Sequence, residues 1–235
     1  MSVEGPKTGT SRPIAEAPRP PIAEIELVAR NMARLLKINN SEVVLRLMES
    51  VDVSALSEIA MDRDIWRYFV SNAGTDEGIR DYVDGMVANR DRSTMVPFTI
   101  IEARTGRAAG GTAYGNISEG DRRAEIGWSW LGKAFQGTAV NTNAKYLMLR
   151  YAFEVMGCER VEFKTDVLNL RARAALKKIG ATEEGVLRSH TLMHDGRRRD
   201  TIYYGILRNE WESVALHLIE VGATASGWGF EFERG

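Results

Sequence analysis

Apolar residues follow two different spacings along the chain, and together they predict a protein of the α+β class. A spacing of three and four residues, typical of helices that bury one face, occurs at 22–38, 52–63, 76–89, 141–156, 169–179 and 209–221. Alternating or short apolar runs, typical of strands, occur at 43–48, 95–103, 108–114, 124–131, 160–165, 186–193 and 201–207. This order predicts antiparallel hairpins around one strand–loop–helix–strand–helix unit, without an internal repeat.

The strand predicted at 124–131 has one crowded face and one sparse face. Alternation places Ile126, Trp128 and Trp130 on the crowded face. Glu125, Gly127 and Ser129 then share the sparse one. Core packing is the simpler interpretation of the two tryptophans, and a wall of a binding pocket is the alternative.

The two ends of the chain differ from its middle. Residues 1–21 hold five of the six prolines and too few large apolar residues to offset the entropy of ordering, so they predict a disordered tail. We expect an amphipathic helical extension at 22–40, a folded domain at 41–212 and a C-terminal extension at 213–235. The apolar face of the helical extension requires a partner, either the domain or another chain.

Composition narrows the possible functions. The chain has 31 Lys+Arg against 32 Asp+Glu, which does not favour a nucleic-acid partner, since such domains usually carry a basic excess. A lone cysteine, Cys158, fits a reducing compartment, and three histidines leave little for a metal site. No apolar run approaches the roughly 20 residues of a membrane span. We therefore expect a cytoplasmic protein without a metal and without a membrane partner.

The loop at 136–141 is the first candidate site. It reads Gln-Gly-Thr-Ala-Val-Asn and joins a strand to the strongest predicted helix. Unpaired N–H groups at a helix N-terminus, together with the helix dipole, bind phosphate groups without many basic side chains. The Gly-Lys-Ser/Thr of a Walker loop is missing, and the loop has one glycine where a dinucleotide fingerprint has three.

A series of motifs in a fixed order resembles the GCN5-related N-acetyltransferase (GNAT) superfamily, most closely its branch of RimJ/RimL-type ribosomal-protein N-terminal acetyltransferases. The motifs are Glu125-Ile126-Gly127-Trp128, Ala134-Phe135-Gln136-Gly137-Thr138-Ala139-Val140-Asn141, Arg160-Val161-Glu162-Phe163-Lys164-Thr165-Asp166, Asn169-Leu170-Arg171-Ala172-Arg173 with Gly180-Ala181, and Asp195-Gly196 with Arg199-Asp200-Thr201. The resemblance implies the GNAT (acyl-CoA N-acyltransferase) fold, a mixed, mostly antiparallel sheet flanked by helices. It also implies acetyl-CoA as cosubstrate and a primary amine as acceptor.

The resemblance further implies a set of acetyl-CoA contacts. They fall on Trp130, Leu131, Gln136, Gly137, Thr138, Ala139, Val140, Asn141 and Asn169. Ala139 and Asn141 depart from the small residues most common in the family. Alanine suits that position if its backbone is helical, and Asn141 is able to cap the helix as well as line the loop. The family tyrosine that protonates the leaving thiolate falls near Leu176, so that role is unfilled.

Direct attack on a thioester requires a base that deprotonates the amine. The resemblance implies Glu125 in this role, with backbone N–H groups near Trp130 and Leu131 polarising the thioester carbonyl. The simpler interpretation of Glu125 is a surface carboxylate at a strand start. The segment 197–199, three arginines, is either a solvated turn or a contact for an acidic acceptor.

Three functions remain open at this level. The first is an N-acetyltransferase acting on a protein N-terminus, a peptide or a small amine, with a homodimer expected from the family. The second is a non-catalytic GNAT-fold module that binds a CoA ester or regulates a partner, which the residues at Ala139, Asn141 and Leu176 motivate. The third is a partner protein that docks through the helix at 22–38 and the aromatic tail at 228–232.

Overall fold

The computed structural model describes residues 35–233. Within this range nine strands form one sheet in the order β7-β8-β6-β5-β4-β3-β2-β1-β9. The strands are β1 Leu35–Asn39, β2 Val43–Leu47, β3 Met95–Glu102, β4 Ala108–Ser118, β5 Arg123–Leu131, β6 Arg160–Asp166, β7 Thr182–Leu192, β8 Arg198–Leu207 and β9 Gly229–Phe232.

Six α-helices lie within the same residues. They are α1 Val53–Ala60, α2 Arg63–Trp66, α3 Asp76–Asp91, α4 Ala139–Arg150, α5 Leu170–Lys178 and α6 Trp211–Glu220. A π-helical turn, Tyr151–Val155, extends α4. The described helices are all too short or too polar to cross a membrane.

The helices cover the sheet from two sides and create two apolar clusters. One cluster contains the inner residues of α4 and α6, such as Leu147 and Leu218. The other contains residues of α1, α2 and α3, such as Leu56, Trp66 and Val83. The sheet is therefore the central layer of the domain.

Strand pairing confirms a mixed, mostly antiparallel sheet. Among the described strands only β5 and β6 pair in parallel, and their register covers three pairs, from Arg123 with Arg160 to Glu125 with Glu162. Both strands continue beyond this point, to Leu131 and Asp166. The two strands are not paired over their C-terminal halves, which opens the sheet between them.

Alternation in β5 is interrupted at Trp128, and the predicted faces of this strand are wrong. Trp128 has φ +52°, and the pairing with β4 shifts between Gly127 and Trp130. This is the pattern of a β-bulge, which changes the side on which the following residues point. Ile126 lies in the cluster of α4, whereas Trp128 and Trp130 pack in the cluster of α1 to α3. Ser129 lies on the α4 side and not beside Glu125, since its hydroxyl contacts Lys145 of α4.

The helix predicted at 22–40 is wrong where the structure describes it. Leu35–Asn39 is strand β1, paired with both β2 and β9, and residues 22–34 lie outside the described range, as does the tail at 1–21. Leu35 and Ile38 are both fully buried because a register shift between Leu35 and Lys37 gives a strand the three-residue spacing of a helix.

The C-terminal segment is part of the sheet. Strand β9 pairs with β1, and Phe230 packs its ring against Tyr151 at 5.5 Å between centroids. Strands β1 and β9 thus lie outside the predicted domain limits of 41–212 but belong to the same sheet. The aromatic tail proposed as a docking segment is engaged within the chain.

Candidate active site

A cavity of about 510 Å³ lies where β5 and β6 separate. Its walls come from β5, from the loop before α4, from β6 and from α5. The residues that line it include Glu125, Trp130, Leu131, Gln136, Gly137, Asn141 and Asn169. The structure therefore brings together seven of the ten residues that sequence analysis placed in the site.

The backbone conformation of the turn into α4 explains why residue 137 is a glycine and why residue 139 is able to be an alanine. Gly137 has φ +76°, a conformation that costs an L-residue roughly 1–2 kcal/mol. Thr138 caps α4, because its hydroxyl accepts a hydrogen bond from the Val140 N–H at 3.3 Å. Ala139 is the first helical residue, which confirms that alanine suits this position. Asn141 lies inside the helix, so its predicted role as a cap is wrong.

The loop before α4 contributes backbone more than side chains. Thr138 and Ala139 are exposed, and the Val140 side chain is buried in the core. The first turn of a helix leaves N–H groups without intrahelical partners, and the positive end of the helix dipole favours an anion there. This turn is suited to a pyrophosphate group.

Two amide side chains connect the elements around the cavity. Gln136 donates to the Leu131 carbonyl at 2.9 Å and accepts from Arg171 Nη1 at 2.6 Å. Asn169 caps α5 by accepting from the Ala172 N–H at 3.1 Å. These bonds hold the loop, the end of β5 and the start of α5 around one opening.

Part of the β5 edge lies open in the cavity. β5 has no partner strand on this side beyond Glu125, so a backbone group that points there and is not already bonded, as the Leu131 carbonyl is to Gln136, is open to a ligand. An extended ligand with amide and thioester oxygens fits such an edge.

Glu125 is buried at the cavity wall and is not a surface carboxylate. It is 6% exposed, and its Oε2 accepts from Lys164 Nζ and from Asn116 Nδ2, both at 2.6 Å. The Lys164 cation balances the buried negative charge. Oε1 has no hydrogen-bond partner among the described residues. It faces Gly127, and a Cβ added to that glycine would lie 3.2 Å from it.

Lys145 is a cavity residue that sequence analysis missed. It lies on the inner face of α4, is 7% exposed and donates to Ser129 Oγ at 2.5 Å. Burial lowers its pKa to about 7, and within the described residues it forms no ion pair with a carboxylate. Lys145 precedes the buried Met148 by three residues, so helical spacing places a lysine beside an apolar core residue. This was the signal that sequence analysis could have used.

The position implied for the family tyrosine holds Leu176, which also lines the cavity. Leu176 is 9% exposed and offers no hydroxyl. No side chain at this position is therefore able to transfer a proton to a thiolate.

Comparison with known proteins identifies the family. Residues 42–182 match the family described as "Acetyltransferase (GNAT) domain". A Bacillus subtilis (strain 168) protein named "Putative ribosomal N-acetyltransferase YdaF" is 30% identical over 180 residues, which cover 74% of this chain and 95% of that protein.

Solved structures show the same fold. A GCN5-related N-acetyltransferase from Brucella melitensis is 22% identical, with a TM-score of 0.73 over 81% of this chain and 89% of its own. Mycobacterium smegmatis RimJ, in complex with CoA-disulfide, is 24% identical, with a TM-score of 0.67 over 85% of this chain and 96% of its own. At these identities the likeness concerns the fold alone.

Proposed function

Because the chain belongs to the GNAT acetyltransferase family, we propose that this acetyl-CoA-dependent acetyltransferase modifies the amino terminus of a protein. The name of the Bacillus subtilis relative supports a protein acceptor. The proposal concerns the acceptor and the role of each residue in the cavity.

One observation supports direct transfer between two bound substrates: the cavity is lined by residues from both faces of the sheet. Ser129 and Lys145 line it from the α4 face, whereas Glu125 and Lys164 line it from the opposite face. Separation of β5 and β6 makes this possible. Two substrates are thus able to meet inside the sheet, one from each face, without an enzyme-bound intermediate.

Each half of the cavity suits one substrate. When bound, acetyl-CoA would supply an acetyl thioester, and the N-terminus of α4 would hold its pyrophosphate. Gln136 and Asn169 lie where the extended arm of that molecule would pass. Backbone N–H groups near Trp130 and Leu131 would stabilise negative charge on the thioester oxygen, which is the usual way to promote attack on an acyl group.

Glu125 serves as the base on the opposite face. Its Oε1 is free to accept a proton from the incoming ammonium group, directly or through one water molecule. Lys164 and Asn116 hold the other oxygen, so the carboxylate keeps a fixed orientation. Confinement of both substrates in one cavity supplies a further part of the rate.

A panel of acceptors tests this function. The full chain is incubated with acetyl-CoA and peptides that carry a free or a blocked α-amine, and with small amines and lysine-containing peptides of blocked N-terminus. We expect release of CoA and an added acetyl group, located on the α-amine by tandem mass spectrometry. Acetylation of small amines only, or of lysine side chains only, would reject a protein N-terminus. Binding of acetyl-CoA with no turnover on any acceptor would favour the non-catalytic module.

A further inference from the structure

We propose that Arg199 binds a carboxylate of the acceptor, so that the preferred polypeptide acceptor carries an acidic side chain within its first few residues. This inference rests on the proposed function and adds the chemical class of the acceptor. It concerns the face of the cavity that carries Glu125.

Strand register places Arg199 on that face. In β8, Arg199, Thr201 and Tyr203 point to one side, because alternate residues of a strand share a face. Thr201 pairs with Asp166 and Tyr203 with Lys164 across the β6–β8 ladder. Lys164 forms the ion pair with Glu125, and the side chain of Arg199 lines the same cavity. The α4 face, by contrast, carries Ile202 and Tyr204 of β8.

Most N–H donors of Arg199 have no acceptor among the described residues. Its Nε donates to Thr201 Oγ1 at 3.0 Å, and neither of its terminal nitrogens bonds to another described residue. A guanidinium group carries five N–H donors. Four of them are therefore available to a ligand in the cavity.

The carboxylates near Arg199 already have cations of their own. Asp166 pairs with Arg197, and Glu125 pairs with Lys164. Among the described residues at this end of the cavity, Arg199 is therefore the cation that pairs with no carboxylate. Partial burial lowers the pKa of Arg199, chiefly through loss of water, while Asp166 and Glu125 act in the opposite direction.

A carboxylate is the group that best satisfies such a site. Its two oxygens match the paired N–H donors of a guanidinium, and the bond is stronger and more directional than one to a neutral acceptor. A polypeptide whose α-amine reaches Glu125 and whose acidic side chain reaches Arg199 would satisfy both charges. A basic residue at the same place would be repelled by Arg199.

The test compares matched peptides on three forms of the full chain. The peptides differ only in aspartate against asparagine at position two, or glutamate against glutamine at position three. The proteins are the wild type, Arg199→Gln and the control Arg198→Gln. Arg198 is exposed and donates to Ser189 Oγ at 3.0 Å. The control substitution therefore removes the same charge at the neighbouring position, outside the cavity lining. Peptide binding by calorimetry and kcat/KM are both measured, and circular dichroism verifies that each variant is folded.

We expect the wild type to favour the acidic peptide of at least one pair by about tenfold or more, the range of a hydrogen bond to a charged group. Arg199→Gln should bring this ratio close to one, and Arg198→Gln should keep it. Arg199→Glu should reverse the preference toward a peptide that carries lysine at that position.

Equal use and equal binding of acidic and neutral peptides by the wild type would overturn the role of Arg199, while leaving protein N-terminal acetylation intact. A preference that survives in Arg199→Gln would also overturn it. If no peptide is acetylated, the proposed function fails, and the calorimetric comparison still decides whether Arg199 selects a carboxylate. Preference for a free acidic amino acid over every peptide would reject the polypeptide acceptor.

Discussion

Replacement of Lys145 by methionine should stabilise the protein at low pH and remove a large part of its pH dependence. Lys145 is an amine buried in α4 against Ser129, with no carboxylate to balance its charge among the described residues. Methionine has a similar length and no charge, so it fills the same space. The substitution therefore removes the buried charge and leaves packing nearly constant.

The magnitude follows from the pKa of Lys145, which burial lowers from 10.5 to about 7. Between these two values the unfolded chain binds a proton that the folded protein does not. Wild-type stability should therefore rise with pH through this window, by up to about 5 kcal/mol, because each pH unit corresponds to about 1.4 kcal/mol for one proton. Below pH 7 Lys145 is protonated in both states, and the free energy of unfolding is reduced by the full cost of burying its charge.

The variant avoids this penalty but loses the bond to Ser129, which contributes about 1 kcal/mol. Lys145→Met should thus exceed the wild type in stability at pH 6 by as much as about 4 kcal/mol. The difference should shrink as the pH rises and change sign near pH 10. Other titrating groups are common to both proteins, so they cancel in the difference.

Urea unfolding between pH 6 and pH 10, followed by circular dichroism, measures this difference directly. The control is Lys178→Met, at an exposed lysine in the last turn of α5. We expect its stability to follow the wild-type curve. Parallel curves for the wild type and Lys145→Met would refute the reasoning, since they would show that Lys145 is charged or solvated to the same extent in both states.

The remaining predictions concern the reaction and the loop. Glu125→Gln should lower kcat by about 100-fold or more and leave acetyl-CoA binding by calorimetry unchanged; an unaltered kcat would remove Glu125 from the mechanism. Gln136→Ala combined with Asn169→Ala should weaken acetyl-CoA binding by about tenfold, and unchanged affinity would show that neither side chain positions the cofactor. Gly137→Ala should lower the free energy of unfolding by about 1 kcal/mol, because alanine is strained at φ +76°; equal urea midpoints would show that the loop relaxes freely.

The sequence predicted those parts of the fold that depend on local periodicity. Helix α4 and strand β6 lie close to their predicted positions, and Val161, Phe163 and Thr165 in β6 are buried as alternation requires. The cavity residues Gln136, Gly137, Asn141 and Asn169 were predicted from the resemblance to the GNAT superfamily, whose motifs occur in this chain in a fixed order. Their roles in binding stay predictions.

Two of the errors, in β1 and in β5, have one physical cause, because both arise where a β-bulge breaks the two-residue period. In β1 the register shift beside Leu35 gives buried residues a spacing of three, which periodicity interprets as a helix. In β5 the positive φ of Trp128 reverses the faces of the residues that follow. Alternation describes an unbroken strand, and single-sequence patterns do not show where an extra residue is inserted.

The bulge in β5 is also what makes the site possible. A regular strand would keep Glu125 and Ser129 on one face, as alternation predicted, and the two walls of the cavity would then lack their present residues. Because Trp128 takes up one extra position, Ser129 turns toward Lys145 of α4 while Glu125 stays with Lys164 on the other face. One strand thus presents polar groups to both faces within five residues. The bulge that made the prediction from alternation wrong therefore also places polar groups on both walls of the cavity.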